Sequence, residues 1–452
     1  MLRRRELSSR ELTELYLDRI ERIDPNLNAY RDVWGERAIA EADAADRRRG
    51  AGTEAPLLGV PIAIKDNIDV AGDVTGHGTD AFDRPAERDS ILVTSLREAG
   101  AVILGKTNLP ELAIHGYTES ETNGITRNPW NRERGVGGSS GGSGAAVAAG
   151  LAALSHASDG AGSIRHPAAQ CGLFGLKPQR DRVPIDGVSW TGMSGHGCNS
   201  RTVADTALFL DAVTAGPAHS PNAPPPPERP FAESAASPPE KLRIAVSLKA
   251  PRALAPPILS DEARRAVEET GELLRSLGHE VGPRDPAWGL VGNQAAARYL
   301  GGIAEDFDAV PRPERLEPIT RGYRRIARFA APGWALRRAL RLEGADRERI
   351  NRLFDDHDVL LMPVVAGPAF EHGRYGSRGA LRCLLGESRF YPYCIPWNHT
   401  GQPAASVPAG RSSEDLPLAV QLVGRVGDEA TLLSLAAQLE AERPWADRRP
   451  QL

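Results

Sequence analysis

The chain has 452 residues, 41% hydrophobic and 25% charged, with a formal net charge of −4. That balance excludes a disordered, collagen-like or coiled-coil polypeptide and gives no electrostatic footprint for nucleic acid or an anionic membrane. No apolar run approaches the ~18 residues of a membrane span, and MLRRREL at the start has no apolar segment behind it, so a cytoplasmic protein without a secretory signal is expected.

The first element read along the chain is a capped amphipathic helix over residues 8–24: Ser8 with Glu11 forms a capping box, and Leu12, Tyr16, Ile20 and Ile23 share a face. Short apolar runs at 57–64, 101–104, 242–246, 359–362 and 416–423 predict strands. Between them, residues 90–98, 145–154, 203–215, 261–277 and 429–440 predict helices. Apolar strands alternating with helices indicate an α/β protein whose sheet is buried on both faces. Residues 160–200, rich in Gly, Ser and Pro, read as structured loop. The nine prolines of 217–239 read as an exposed, extended connector. Residues 321–352 carry ten arginines against three acids and are expected to form a solvated helical face. One domain is expected over 1–452: a core of 1–216 plus 385–445, the connector, and a variable substrate-side region 240–384.

Four cysteines without a CxxC pair and ten histidines without HExxH argue against a metal site or a disulfide framework. Only five lysines occur against 50 arginines. Arg holds its proton permanently, whereas a buried Lys can lose it, so each lysine invites a question. Lys65 sits in GVPIAIKDN at the end of an apolar run, where desolvation can hold an amine neutral. Moving its pKa from ~10.4 to about 7 is worth roughly 4–5 kcal/mol in favour of the neutral form.

The segment 135–167, GVGGSSGGSGAAVAAGLAALSHASDGAGSIRHP, carries the chemistry. Gly137 and Gly142 have the spacing of a phosphate loop, but Ser143 stands where that loop needs Lys. GGSSG matches the nucleophile elbow G-x-S-x-G, without a marked acid or histidine downstream. A second serine, Ser163 in DGAGSIR, follows small residues that let backbone N–H groups converge on a developing oxyanion.

GVPIAIKDN, GGSSGGSG and SDGAGSIRHPAAQCGLFGLKP, in this order, resemble the amidase signature family, with 74 residues from Lys65 to Ser139 and 24 from Ser139 to Ser163. The likeness extends from LSSRELTELYLDRIERIDPNLNAY through GKTNLPE and NPWN to WNHTGQPAASVPAG and LPLAVQLVGRVGDEATLLSLAAQLE. It implies the amidase signature fold, a mixed β-sheet sandwiched between layers of helices, and a Ser–cis-Ser–Lys triad. Ser163 would be the nucleophile, Ser139 (after a cis bond from Gly138) the proton relay and Lys65 the base. The amides of Gly160, Ala161, Gly162 and Ser163 would form the oxyanion hole, with Ser140, Asp159 and Arg165 in support. Ala161 departs from the family's usual D-x-G-G-S glycine.

The implied activity is hydrolysis of a linear amide C–N bond, of the acylamide amidohydrolase type (EC 3.5.1.4), with a small-molecule amide as substrate, no cofactor, no metal, no nucleic acid, no membrane, and a monomer or homodimer. Alternatives are the A subunit of a glutamyl-tRNA amidotransferase, disfavoured because QRDRVPIDGVSW replaces that group's usual run after GLKP, and a non-catalytic scaffold. Structural roles are expected for Lys106, Lys177 and Cys171. Trp130, Trp190, His166 and His196 are candidates for packing or pocket lining. Tyr375, Tyr391, Tyr393 and Trp397, with Arg374, Arg378 and Arg382, are candidates for the substrate side.

Overall fold

The computed structural model describes residues 1–187, 190–216, 219–252 and 254–452, with Ser377 in backbone only. Eleven strands form one sheet: Tyr30–Val33 (β1), Pro61–Lys65 (β2), Val102–Thr107 (β3), Leu154–Asp159 (β4), Phe174–Lys177 (β5), Gly195–Ser200 (β6), Arg243–Val246 (β7), Glu280–Pro283 (β8), Val359–Pro363 (β9), Ala404–Arg411 (β10) and Pro417–Gly424 (β11). Their spatial order is β1-β3-β2-β4-β6-β5-β10-β11-β9-β7-β8. β2 runs parallel to β3 and β4, and β9 runs parallel to β7, while the centre from β4 to β11 is antiparallel. This is the mixed sheet between helical layers that the sequence implied.

Period-two alternation sends neighbouring side chains to opposite faces. Ile62 and Ile64 of β2, Ile244 of β7, and Val359 and Leu361 of β9 enter one core, packed beneath helices Ile91–Glu98, Val203–Thr214, Asp261–Ser276 and Glu429–Glu442. Ala63 faces the other way, against Ala145 and Ala146 of helix Gly141–Ala148; Ala245, Leu360 and Met362 do the same beside Trp397. Both faces are covered, which is why these runs read as continuously apolar. Three strands of 240–384 (β7, β8 and β9) belong to this same sheet.

The N-terminal helix is Ser9–Ile23, and its capping box is present: Glu11 N donates to Ser8 Oγ and Ser8 N to Glu11 Oε2. Two expectations need correction. The helix expected over 145–154 is Gly141–Ala148, and Leu154 instead opens β4. Its start is glycine-rich because the packing leaves no room for side chains: a Cβ on Gly142 would lie 2.4 Å from Ala29 O and from Asn108 N. Residues 160–200 are not loop throughout; they hold helix Arg165–Cys171 and strands β5 and β6. β6, GHGCNS, is buried without being apolar, so hydrophobic periodicity does not reveal it.

Among the arginine-rich helices Pro318–Ala330 and Gly333–Asn351, several guanidinium groups are paired, Arg324 with Asp308 and Arg347 with Glu343, and Arg347 also bonds Thr400 O. Among the described residues, no helix is long and apolar enough to cross a membrane.

Candidate active site

Lys65 is the last residue of β2, and alternation places it on the face of Ala63, toward the Gly141–Ala148 helix. Its side chain is fully buried, and Nζ lies 2.7 Å from Ser139 Oγ and 2.9 Å from Ser158 Oγ. Ser158, near the end of β4, also accepts from Asn67 Nδ2 at 2.9 Å. Ser139 lies two residues before the helix, whose N-cap is Ser140, and follows Gly138 through a cis peptide bond. Ser140 ties this turn to β4, its hydroxyl donating to Ser158 O at 3.1 Å and accepting from Ser158 N at 3.3 Å.

Asp159 closes β4 and folds the following loop around its carboxylate. Gly162 N donates to Oδ1 at 2.6 Å and Ile164 N to Oδ2 at 3.2 Å, while Arg165 bonds both oxygens at 2.9 Å. Arg165 then reaches across the molecule to Cys394 O (3.0 Å), Gln421 Oε1 (2.7 Å) and Asn398 Oδ1 (2.6 Å). Asn398 Nδ2 returns to Asp159 O at 2.7 Å. Burial works against the Asp159 anion, but the Arg165 guanidinium overrides it and holds the carboxyl well below the usual carboxylate range. Residues 159–165 are thus fixed by a satisfied buried network anchored on β11 and on helix Ile395–Thr400.

This arrangement revises one expectation. The Gly162 amide is spent on Asp159, so the backbone donors without an internal partner, among the described residues, are those of Gly160, Ala161 and Ser163. Gly162 serves instead as a turn: its φ is +129°, and a Cβ there would meet His166 Nε2 at 2.1 Å.

Burial drives the Lys65 pKa down from 10.5 to about 7, with Asp159 partly opposing. An amine near neutrality beside two serine hydroxyls can accept a proton at physiological pH. Lys177 is also lowered to about 7, by burial and then Arg165, but it donates to Pro178 O and lines no cavity described here. Lys106 bonds Asp66 and Ile68 O, and Cys171 is a buried thiol pushed up by desolvation; these three are structural.

Ser163 lines both of two neighbouring cavities. One cavity is apolar and lined by Ala161, Trp190, Tyr299, Leu384, Tyr391 and Ile395, with His115 and Glu387 bonded to each other at 3.2 Å in its wall. The other is more polar and lined by Ser139, Ser158, Asn67, His77, Trp190 and Asp306. Trp190 lines both cavities, and Tyr391, with the His166 ring tilted against it at 4.2 Å, lies along the first.

Other sequence candidates lie elsewhere. Tyr375, Arg374, Arg378 and Arg382 line a separate surface cleft, and Tyr393 lines another. Trp397 is buried core, and Trp130 packs beneath Arg411. His196 pairs with buried His156 at 3.0 Å. Sequence reasoning gave no role to Ser158, Asn67, Asn398, Gln421 or Asp306. Gln421, a polar residue inside the apolar run LAVQLV, was the one with a visible signal.

The fold is that of an α/β amide hydrolase. A family model described as Amidase matches residues 11–433, and the chain belongs to that family, the amidase signature enzymes. It is 49% identical to "Putative amidase AmiB2" of Mycobacterium tuberculosis over 99% of this chain and 95% of that protein. It is 33% identical to the 6-aminohexanoate-cyclic-dimer hydrolase of Paenarthrobacter ureafaciens over 100% of this chain and 95% of that one. The solved structure of peptide amidase from Stenotrophomonas maltophilia superposes with a TM-score of 0.81 at 28% identity, covering 99% of this chain and 96% of the other. The protein is accordingly an amidase-family hydrolase acting on C–N bonds.

Proposed function

We propose that this chain hydrolyses carboxylic amides of the acylamide type through a Ser163 acyl-enzyme. The observation that carries the reading is the buried Lys65 Nζ 2.7 Å from Ser139 Oγ, with both serines lining the cavity in which an amide would react. Neutral Lys65 draws the proton of Ser139, which draws that of Ser163, and Ser163 Oγ bonds to the amide carbon. Charge on the carbonyl oxygen is met by the free amides of Gly160, Ala161 and Ser163. The C–N bond breaks as the proton returns through Ser139 to the leaving nitrogen. Water, activated by the same chain, then releases the acid.

A Ser163→Ala variant is expected to show no hydrolysis of simple aliphatic and aryl amides. Lys65→Ala is expected to lose about a thousandfold in kcat, within the range removal of a general base produces. Continuous ammonia or amine release reads both; near-native turnover by Lys65→Ala contradicts the assignment.

A further inference from the structure

The two cavities at Ser163 differ in chemistry, and the proposed mechanism, on which this inference rests, decides which half of the substrate enters each. The leaving nitrogen takes its proton through Ser139, and Ser139 lines only the polar cavity. The amine half therefore lies there, and the acyl half lies in the apolar cavity.

The polar cavity has one carboxylate in its lining, Asp306, from helix Val291–Ala309. Its Oδ2 accepts from Trp190 Nε1 at 2.6 Å, while Oδ1 has no hydrogen-bond partner among the described residues, and no Arg or Lys lines that cavity. On the same wall, Asn67 Oδ1 is buried and unpartnered. The one basic ring in the lining, His77, is held neutral, its pKa lowered to about 4 by burial and by Lys106. Burial, with Glu305 adding to it, raises Asp306 to about 7, the condition of an acid that lacks its counter-ion. A cavity lined by acceptors and a lone carboxylate fits a ligand rich in N–H donors and positively charged.

We propose that Asp306 selects amides whose amine half carries a second, cationic nitrogen, the class of N-acyl diamines. Asp306 is a specificity residue and takes no part in proton transfer.

The test uses purified enzyme and an isosteric pair, N-hexanoyl-1,4-diaminobutane and N-hexanoylpentylamine, in which a terminal ammonium is replaced by a methyl group. Wild-type enzyme is expected to favour the charged substrate by about tenfold in kcat/KM, the scale of one bond to a charged group. Asp306→Asn keeps an acceptor for Trp190 Nε1 and removes the charge, so the charged-to-neutral ratio should collapse toward one, through KM. Equal losses on both substrates, leaving the ratio intact, overturn the proposal in favour of a purely structural tie to Trp190. A wild-type ratio near one overturns it as well. A second readout needs no variant: butylamine, a cation at neutral pH, should inhibit wild-type turnover at about tenfold lower concentration than the neutral butan-1-ol, and equal inhibition counts against Asp306. Failure to cleave either substrate while a fluorophosphonate labels Ser163 overturns the amine-side assignment alone; failure of both reactions overturns the mechanism beneath it.

Discussion

At Lys65 a single buried amine carries both a cost in stability and a gain in reactivity. Its folded pKa, about 7, lies below its unfolded value of 10.5. The unfolded chain therefore binds the proton more strongly. The neutral amine costs nothing above pH 10.5, and the stability loss grows as pH falls toward 7, where it reaches roughly 4–5 kcal/mol. Lys65→Met removes that loss but leaves the hydroxyls of Ser139 and Ser158 each short of a partner, at about 1 kcal/mol apiece. This variant is expected to be inactive yet to melt higher than wild type at pH 7, with the gap closing toward pH 10; calorimetry across that range reads it. On the proposed mechanism the same titration sets activity. The kcat/KM of wild-type enzyme should rise through about pH 7 as Lys65 loses its proton and level off above. A profile flat from pH 6 to 9 contradicts Lys65 as the base.

The elements around the site are held by the buried Asp159–Arg165 pair, which joins the end of β4 to β11 and to helix Ile395–Thr400. Replacing Arg165 by Met leaves Asp159 charged, buried and unpaired, a change that costs about 3–5 kcal/mol. Urea unfolding of Arg165→Met should show that loss, with kcat falling because the amides of 160–163 lose their fixed aim. Gly142→Ala should cost about 1–3 kcal/mol by overpacking against Ala29 and Asn108.

These elements also show where sequence was informative. GVPIAIKDN announced β2 and its buried lysine because an apolar run ending in a charge has few other readings. β4 and β6, LSHASD and GHGCNS, gave no such signal, because their burial is satisfied by Ser, His and Asn hydrogen bonds instead of aliphatic side chains. Asn398 and Gln421 act on Arg165 across 233 and 256 residues of sequence, a pairing no local pattern encodes.

Across the whole molecule, the sheet passes without a break from β1 to β8, so the variable region and the motif-bearing segments share one hydrogen-bonded layer. Hydrogen exchange should therefore find the slowest amides in the central strands β4, β5, β6, β10 and β11, with the edge strands β1 and β8 opening sooner. This continuity brings Gly292, Ala296, Tyr299 and Leu384 of the variable region to the apolar cavity beside Ser163, together with Ala161, Trp190 and Tyr391 of the motif-bearing part. It also explains why the triad was legible while its substrate side was not. The triad sits in short conspicuous motifs, whereas the cavity walls come from Trp190, Tyr299, Asp306 and Tyr391, which meet only in the fold.

The central claim is that Ser163 is the nucleophile and Lys65 its base through Ser139. Treatment of the intact protein with a fluorophosphonate, followed by intact mass and peptide mapping, tests it without any assumption about substrate. The account predicts one adduct, on Ser163, absent in Ser163→Ala and formed far more slowly in Lys65→Ala. An adduct on Ser139, or labelling at Ser163 that is as fast without Lys65 as with it, would contradict the account.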